Sequence, residues 1–282
     1  MEVSSCAVFQ TETTAHVDSI LAGYGAAMTD VHARARVLCW FSCGATSAVA
    51  SKLICSTQQK HSIVIAYTQV KEESEDNIRF LRDCEGWFGC DITILRNEKY
   101  GASIYQVFEQ TQYLVSRYGA PCTKKLKRDV REQFQLPDDI HVLGFSAEEQ
   151  DRADEFAERN PSLTLQFPLI ERNLTKADCL ALVQDAGIKL PYLYLKGYDH
   201  NNCIGCVKGG MGYWNKIRVD FPSVFTRMAE TERKIGHSIN RSKGLPMFLD
   251  ELDPLAGHGV KEPSIECGVF CESAKLEMGA QP

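Results

Sequence analysis

Short apolar runs separated by segments of helix length recur along this chain, and that rhythm constrains its fold more than any other feature. Val37-Leu38-Cys39-Trp40-Phe41 is an uninterrupted strand-type run that stops abruptly at Ser42-Cys43-Gly44. Residues 62–67, 91–95 and 140–143 form three more such runs. Unbroken apolar strands suit a sheet covered on both faces, which is how parallel sheets are buried. Residues 48–55, 74–84 and 174–186 read as helices between or after them, the last introduced by Thr175 and Asp178 and closed by Gly187. The alternation predicts an α/β fold: a mostly parallel, twisted sheet with helices on both faces.

The expected organisation has three parts. Residues 1–34, polar and alanine-rich, read as a helical extension; residues 35–195 hold the α/β domain. Residues 196–282 read as a small, irregular, cysteine-containing subdomain and tail. Residues 105–131 read as a helical stretch ending in a basic run. A chain of 282 residues buries a sizeable core without disulfides. The net charge of −6 argues against a surface basic all round, and so against duplex nucleic acid as an obligate partner.

Twelve cysteines are many for such a chain. No stretch reads as a signal peptide or approaches membrane-spanning length, so the expectation is a cytoplasmic protein with reduced thiols and no membrane partner. Clustered cysteines then point to metal or catalysis rather than to a disulfide frame. Cys39, Cys55, Cys90 and Cys179 sit among apolar residues and read as small core groups. Cys203-Ile204-Gly205-Cys206, with Cys122 far upstream, suits zinc or an iron–sulfur cluster, and His200 lies near enough in sequence to complete a zinc set.

The passage from strand to Ser42-Cys43-Gly44-Ala45-Thr46-Ser47 and then helix has the parts of a phosphate cradle. Small residues let the backbone approach an anion, and the helix N-terminus offers free N–H groups and partial positive charge. A second loop at a strand end runs Gly144-Phe145-Ser146-Ala147-Glu148-Glu149, with Arg152 beyond it. Ligands of open α/β sheets bind at such ends. The basic run Lys124-Lys125-Leu126-Lys127-Arg128 follows Cys122 and is either a solvated helix face or a phosphate or sulfate site.

The Ser42–Ser47 loop resembles the PP-loop of the adenine nucleotide alpha hydrolase superfamily, S-G-G-x-D-S, with Cys43 in place of a glycine and Thr46 in place of the aspartate. Members that split ATP carry that aspartate; sulfonucleotide reductases share the fold without it. Further segments are similar to phosphoadenylyl-sulfate and adenylyl-sulfate reductases. Residues 190–206 look like their L-P…L…G-Y…C-x-x-C stretch, and Ala120-Pro121-Cys122 lies where they have a cysteine pair. Pro168-Leu169-Ile170 with Thr175 and Asp178 matches their linking strand and helix, and Glu266-Cys267-Gly268 resembles their E-C-G tail.

The resemblance implies an adenine nucleotide bound at Ser42, Cys43, Gly44, Ala45, Thr46 and Ser47, with Tyr67, Gly144 and Arg152 around it. It implies a 4Fe-4S cluster on Cys122, Cys203 and Cys206, with Cys271 or Cys267 as a further ligand and zinc as the alternative. Cys267 becomes the nucleophile that attacks the sulfur, and a thioredoxin-like reductant the partner. Pro121 replaces one expected cysteine, which opens a second expectation: a PP-loop sulfur transferase with a three-cysteine cluster, thiolating a nucleic acid base or another acceptor. A third is a non-catalytic nucleotide sensor with a structural metal.

Overall fold

The computed structural model describes residues 35–57, 63–116 and 119–260. The helical extension expected over 1–34, and Cys267 and Cys271, lie outside these residues. The chain is α/β, built on a five-stranded parallel sheet of order β3-β2-β1-β4-β5. Its strands are β1 (Val37–Phe41), β2 (Ile63–Thr68), β3 (Ile92–Leu95), β4 (Ile140–Val142) and β5 (Thr164–Gln166). The register pairs Val37 with Ile63 on one side and with Ile140 on the other. β1 is therefore central, and all five of its residues are buried, as its apolar run requires.

The described residues pack as two compact units. The first contains the residues up to Tyr67, with Glu75–Ile94 and Gln135–Asn201; the second contains Thr68–Ser74, Leu95–Phe134 and the residues from Asn202 onward. In the first unit β1 leads into α1 (Ala45–Thr57), and α2 (Asp76–Phe88) follows β2. Phe41 stacks on Phe80 at 6.1 Å and meets Phe88 edge-on at 5.8 Å, which joins strand and helix in one aromatic core. Cys39, Cys55, Cys84 and Cys179 are buried in this unit, where burial raises the Cys39 thiol well above its ordinary value. Cys90 is only partly buried.

After α5 (Gln150–Arg159) and β5 come α6 (Pro168–Glu171), α7 (Lys176–Asp185) and α8 (Tyr192–Leu195). Thr175 caps α7 as its sequence predicts: its hydroxyl accepts the Asp178 N–H at 3.1 Å while Asp178 Oδ2 accepts the Thr175 N–H at 2.8 Å. Gly187 then takes a left-handed φ of 74°. The strand expected at Pro168-Leu169-Ile170 is instead the short helix α6, with Pro168 in its first turn.

In the second unit the stretch expected as one helix over 105–131 is broken. It comprises α3 (Ile104–Thr111), a π-helical turn at Thr123–Arg128 and α4 (Asp129–Phe134). Gln112 ends α3 in left-handed backbone, φ 52°. The subdomain expected to be irregular carries two full helices, α9 (Met211–Asp220) and α10 (Pro222–Ile235), and a hairpin of β6 (Asn240–Ser242) with β7 (Leu245–Met247). Trp214, Ile217 and Met228 are wholly buried there, so this segment has a core of its own. Among the described residues no helix is long and apolar enough to cross a membrane.

Candidate functional site

The chain leaves β1 for β2 and β3 on one side, then returns to β4 and β5 on the other, so the strand order reverses beside β1. Such a reversal opens a crevice at the C-terminal ends of the strands. The two loops that flank it are Ser42–Gly44, after β1, and Leu143–Ser146, after β4. A Cβ on Gly144 would stand 2.7 Å from both the Cα and the backbone nitrogen of Ser47. Gly144 is thus where the second loop lies directly against the first turn of α1, and only a missing side chain allows it.

Within the first loop the hydroxyls bond inward. Ser47 Oγ accepts the Ser42 N–H at 3.0 Å, lies 3.0 Å from Ser42 Oγ and donates to the Gly44 carbonyl at 3.0 Å. Cys43 adopts φ 56°, a left-handed value that explains why the resembled loop has glycine there. Its carbonyl accepts from Asn201 Nδ2 at 2.7 Å, and the same nitrogen donates to Asn77 Oδ1 at 2.8 Å. The first intrahelical acceptor is Gly44, whose carbonyl takes the Ala48 N–H at 3.0 Å. The N–H groups of Gly44 and Thr46 have no protein acceptor among the described residues. Orphan amides at a helix start, framed by hydroxyls, form an anion cradle.

The remaining expected residues divide. Tyr67 is 1% exposed and meets Phe41 edge-on, so its ring packs in the core beside β1. Arg152 lies 4.5 Å from the Phe145 ring centroid and donates to Glu149 Oε1 at 2.5 Å. Glu149 also accepts the Ser146 N–H at 3.0 Å, so one carboxylate shapes the loop and holds the arginine. His200 belongs to the first unit, where burial foremost, with Lys176 nearby, pushes its imidazole down to about 4.

Cys122, Cys203 and Cys206 all fall in the second unit, and all are buried. Gly205 makes the turn between the latter two at φ 77°, and a Cβ there would come 2.6 Å from Val224 Cγ1. The Tyr213 hydroxyl accepts the N–H groups of Gly205 and Cys206 at 3.0 Å each and donates to the Cys203 carbonyl at 3.3 Å. The Ile204 N–H is held by the Glu72 carbonyl at 2.8 Å.

The basic run after Cys122 is split by its helical turn. Lys127 and Arg128 are buried, while Lys124 and Lys125 are partly exposed. Lys127 pairs with the buried Glu73 at 2.8 Å, and Lys125 with Asp129 at 3.2 Å. The reading of this run as a solvated face therefore holds for only part of it. Among the described residues no three His, Cys, Asp or Glu side chains are gathered to hold a metal ion. The described thiols thus do not by themselves complete a ligand set for a cluster or zinc.

Sequence reasoning missed Asn77 and Asn201, whose spacing of 124 residues leaves no local pattern. It also missed Tyr194, which sits inside the resembled 190–206 stretch but reaches the Ser42 loop. No protein-family model matches the chain, and no curated protein matches it either.

Proposed function

We propose that this chain binds an adenine nucleotide at Ser42–Ser47 and acts as an iron–sulfur enzyme similar to phosphoadenylyl-sulfate and adenylyl-sulfate reductases, in the adenine nucleotide alpha hydrolase superfamily. The observation that carries the reading is the cradle after β1: orphan amides and hydroxyls at the sheet's switch point, closed by Gly144. The loop offers no carboxylate for magnesium triphosphate, since Thr46 stands where ATP-splitting relatives have aspartate. A sulfonucleotide, bound by its phosphate, suits neutral donors.

In this reading the Cys267 thiolate attacks the sulfonate sulfur. An S–S bond forms, the S–O bond to the phosphate breaks, and the nucleoside phosphate leaves with the electron pair. A thiol of a thioredoxin-like reductant then attacks Cys267 Sγ and releases sulfite, and its second thiol resolves the mixed disulfide. Cys122, Cys203 and Cys206, with Cys271, are the proposed cluster ligands; a cluster would supply redox-active iron.

Pro121, in place of a cysteine, favours one second reading: a sulfur transferase whose cluster has three protein thiolates and whose acceptor is a nucleic acid base. The test is a single turnover with adenylyl sulfate and phosphoadenylyl sulfate, without reductant, followed by peptide mass spectrometry. The reductase reading expects a sulfonate adduct on Cys267. An unmodified Cys267, with ATP consumed only when a nucleic acid acceptor is added, would replace it with the transferase.

A further inference from the structure

One more hydroxyl reaches the Ser42 loop from a distant part of the sequence. Tyr194 sits on α8, and its Oη lies 3.3 Å from where a Cβ on Gly44 would stand. The Ala45 N–H, at the start of α1, acts on that same oxygen as a donor. Gly44 therefore leaves a space that the phenol hydroxyl enters, next to the orphan amides of Gly44 and Thr46.

The position of α8 is fixed by α2. Asp76 Oδ2 accepts the Tyr192 N–H at 2.9 Å. Arg79, held by both Asp76 oxygens at 2.7 and 2.8 Å, donates to the carbonyls of Lys189 at 2.9 Å and Leu190 at 3.2 Å. The segment entering α8 and its first residue are thus anchored before Tyr194 extends toward the loop, as a preorganised site requires. Burial pushes the Tyr194 phenol up to about 12, so its proton stays on at neutral pH. A phenol oxygen that accepts from an amide still has its own hydrogen to donate. No acceptor for that hydrogen occurs among the described residues.

The geometry points to Tyr194 as a ligand-binding residue of the phosphate loop, whose hydroxyl donates to an oxygen of a phosphate ester seated at Ser42–Ser47. The cradle then consists of Tyr194 and backbone amides, all neutral donors, on a loop that the Ser42 and Ser47 hydroxyls hold in shape. Such a set takes a phosphate monoester or diester without a divalent cation. This inference rests on the nucleotide reading of the loop.

The experiment is calorimetric titration of the full chain with adenosine 5′-monophosphate, for the wild type, Tyr194→Phe and Ser47→Ala, with and without magnesium. Tyr194→Phe keeps the ring and its packing and strands one amide, Ala45, so it should stay folded with a slightly lower melting temperature, while affinity falls about tenfold for the lost donor to a charged group. Magnesium should leave the affinities unchanged. If Tyr194→Phe binds like the wild type while Ser47→Ala is weakened, the role of Tyr194 is overturned and the loop stands. If magnesium tightens wild-type binding about tenfold, the neutral cradle is overturned. If the wild type does not bind, or Ser47→Ala changes nothing, the nucleotide reading itself fails.

Discussion

The Ser42–Ser47 loop and the Cys203–Cys206 loop use similar parts to opposite ends. Each turns at a position of left-handed backbone, Cys43 in one and Gly205 in the other, and each receives a tyrosine hydroxyl from a neighbouring element. In the first loop the hydroxyls satisfy one another and the Gly44 carbonyl, leaving the Gly44 and Thr46 amides for a ligand. In the second, Tyr213 takes the amides of both Gly205 and Cys206. The first loop is therefore organised to receive an anion, and the second to fix a turn that presents thiols. The lesson is that a small, glycine-containing loop becomes an anion site only where its amides are left over.

That contrast can be broken at several points. The largest effect is expected in the second unit, at the buried Lys127–Glu73 pair. Glu73→Ala leaves Lys127 buried without this carboxylate and should cost about 3–5 kcal/mol in a urea unfolding series. In the first unit Gly144→Ala pushes a methyl into the Ser47 backbone, where nothing flexible can yield. It should cost about 2–3 kcal/mol and abolish nucleotide binding, read by the same unfolding series and by calorimetry.

The two tyrosines sharpen the comparison further. Tyr213→Phe strands two buried amides and should lower stability by about 1–3 kcal/mol, whereas Tyr194→Phe strands only the Ala45 amide and should cost less stability while lowering ligand affinity. Equal losses of stability in both variants would mean that the loops do not differ in the way argued.

A smaller, pH-dependent effect comes from Glu232 on α10, which is wholly buried and accepts the N–H groups of Ile239 and Leu249 at 2.6 Å each. Burial pushes its carboxyl up to about 7, above the ordinary 4.5. The folded state then holds the proton more tightly than the unfolded one. Stability from this group is complete below about 4.5 and is lost as pH rises through about 7. Glu232→Gln should flatten that decline in denaturation midpoints measured between those values.

Much of this was legible in the sequence because it is local. The apolar run 37–41, the hydroxyl-rich loop after it and the Thr175–Asp178 cap each lie within a few consecutive residues, and the structure places them as the pattern implies. β5 was not legible: Thr164–Gln166 is a partly exposed edge strand of three residues with no apolar alternation. α9 and α10 were masked by glycines and aromatics that suggest irregular chain, although Pro222 suits a first helical turn. The basic run after Cys122 is a row of like charges in sequence, and only the helical turn separates buried Lys127 and Arg128 from partly exposed Lys124 and Lys125. Asn77, Tyr194 and Asn201 join the first loop through tertiary contact alone, which no window of sequence contains.

The proposed chemistry is tested most directly by sulfite release. Full-length protein, purified without oxygen, is given adenylyl sulfate or phosphoadenylyl sulfate with thioredoxin and its reductase, alongside Cys267→Ser. The wild type should release sulfite and nucleoside phosphate in equal amounts, and Cys267→Ser none despite retained nucleotide binding. Nucleotide bound tightly by the wild type with no sulfite released, or sulfite released equally by Cys267→Ser, would contradict the proposed chemistry.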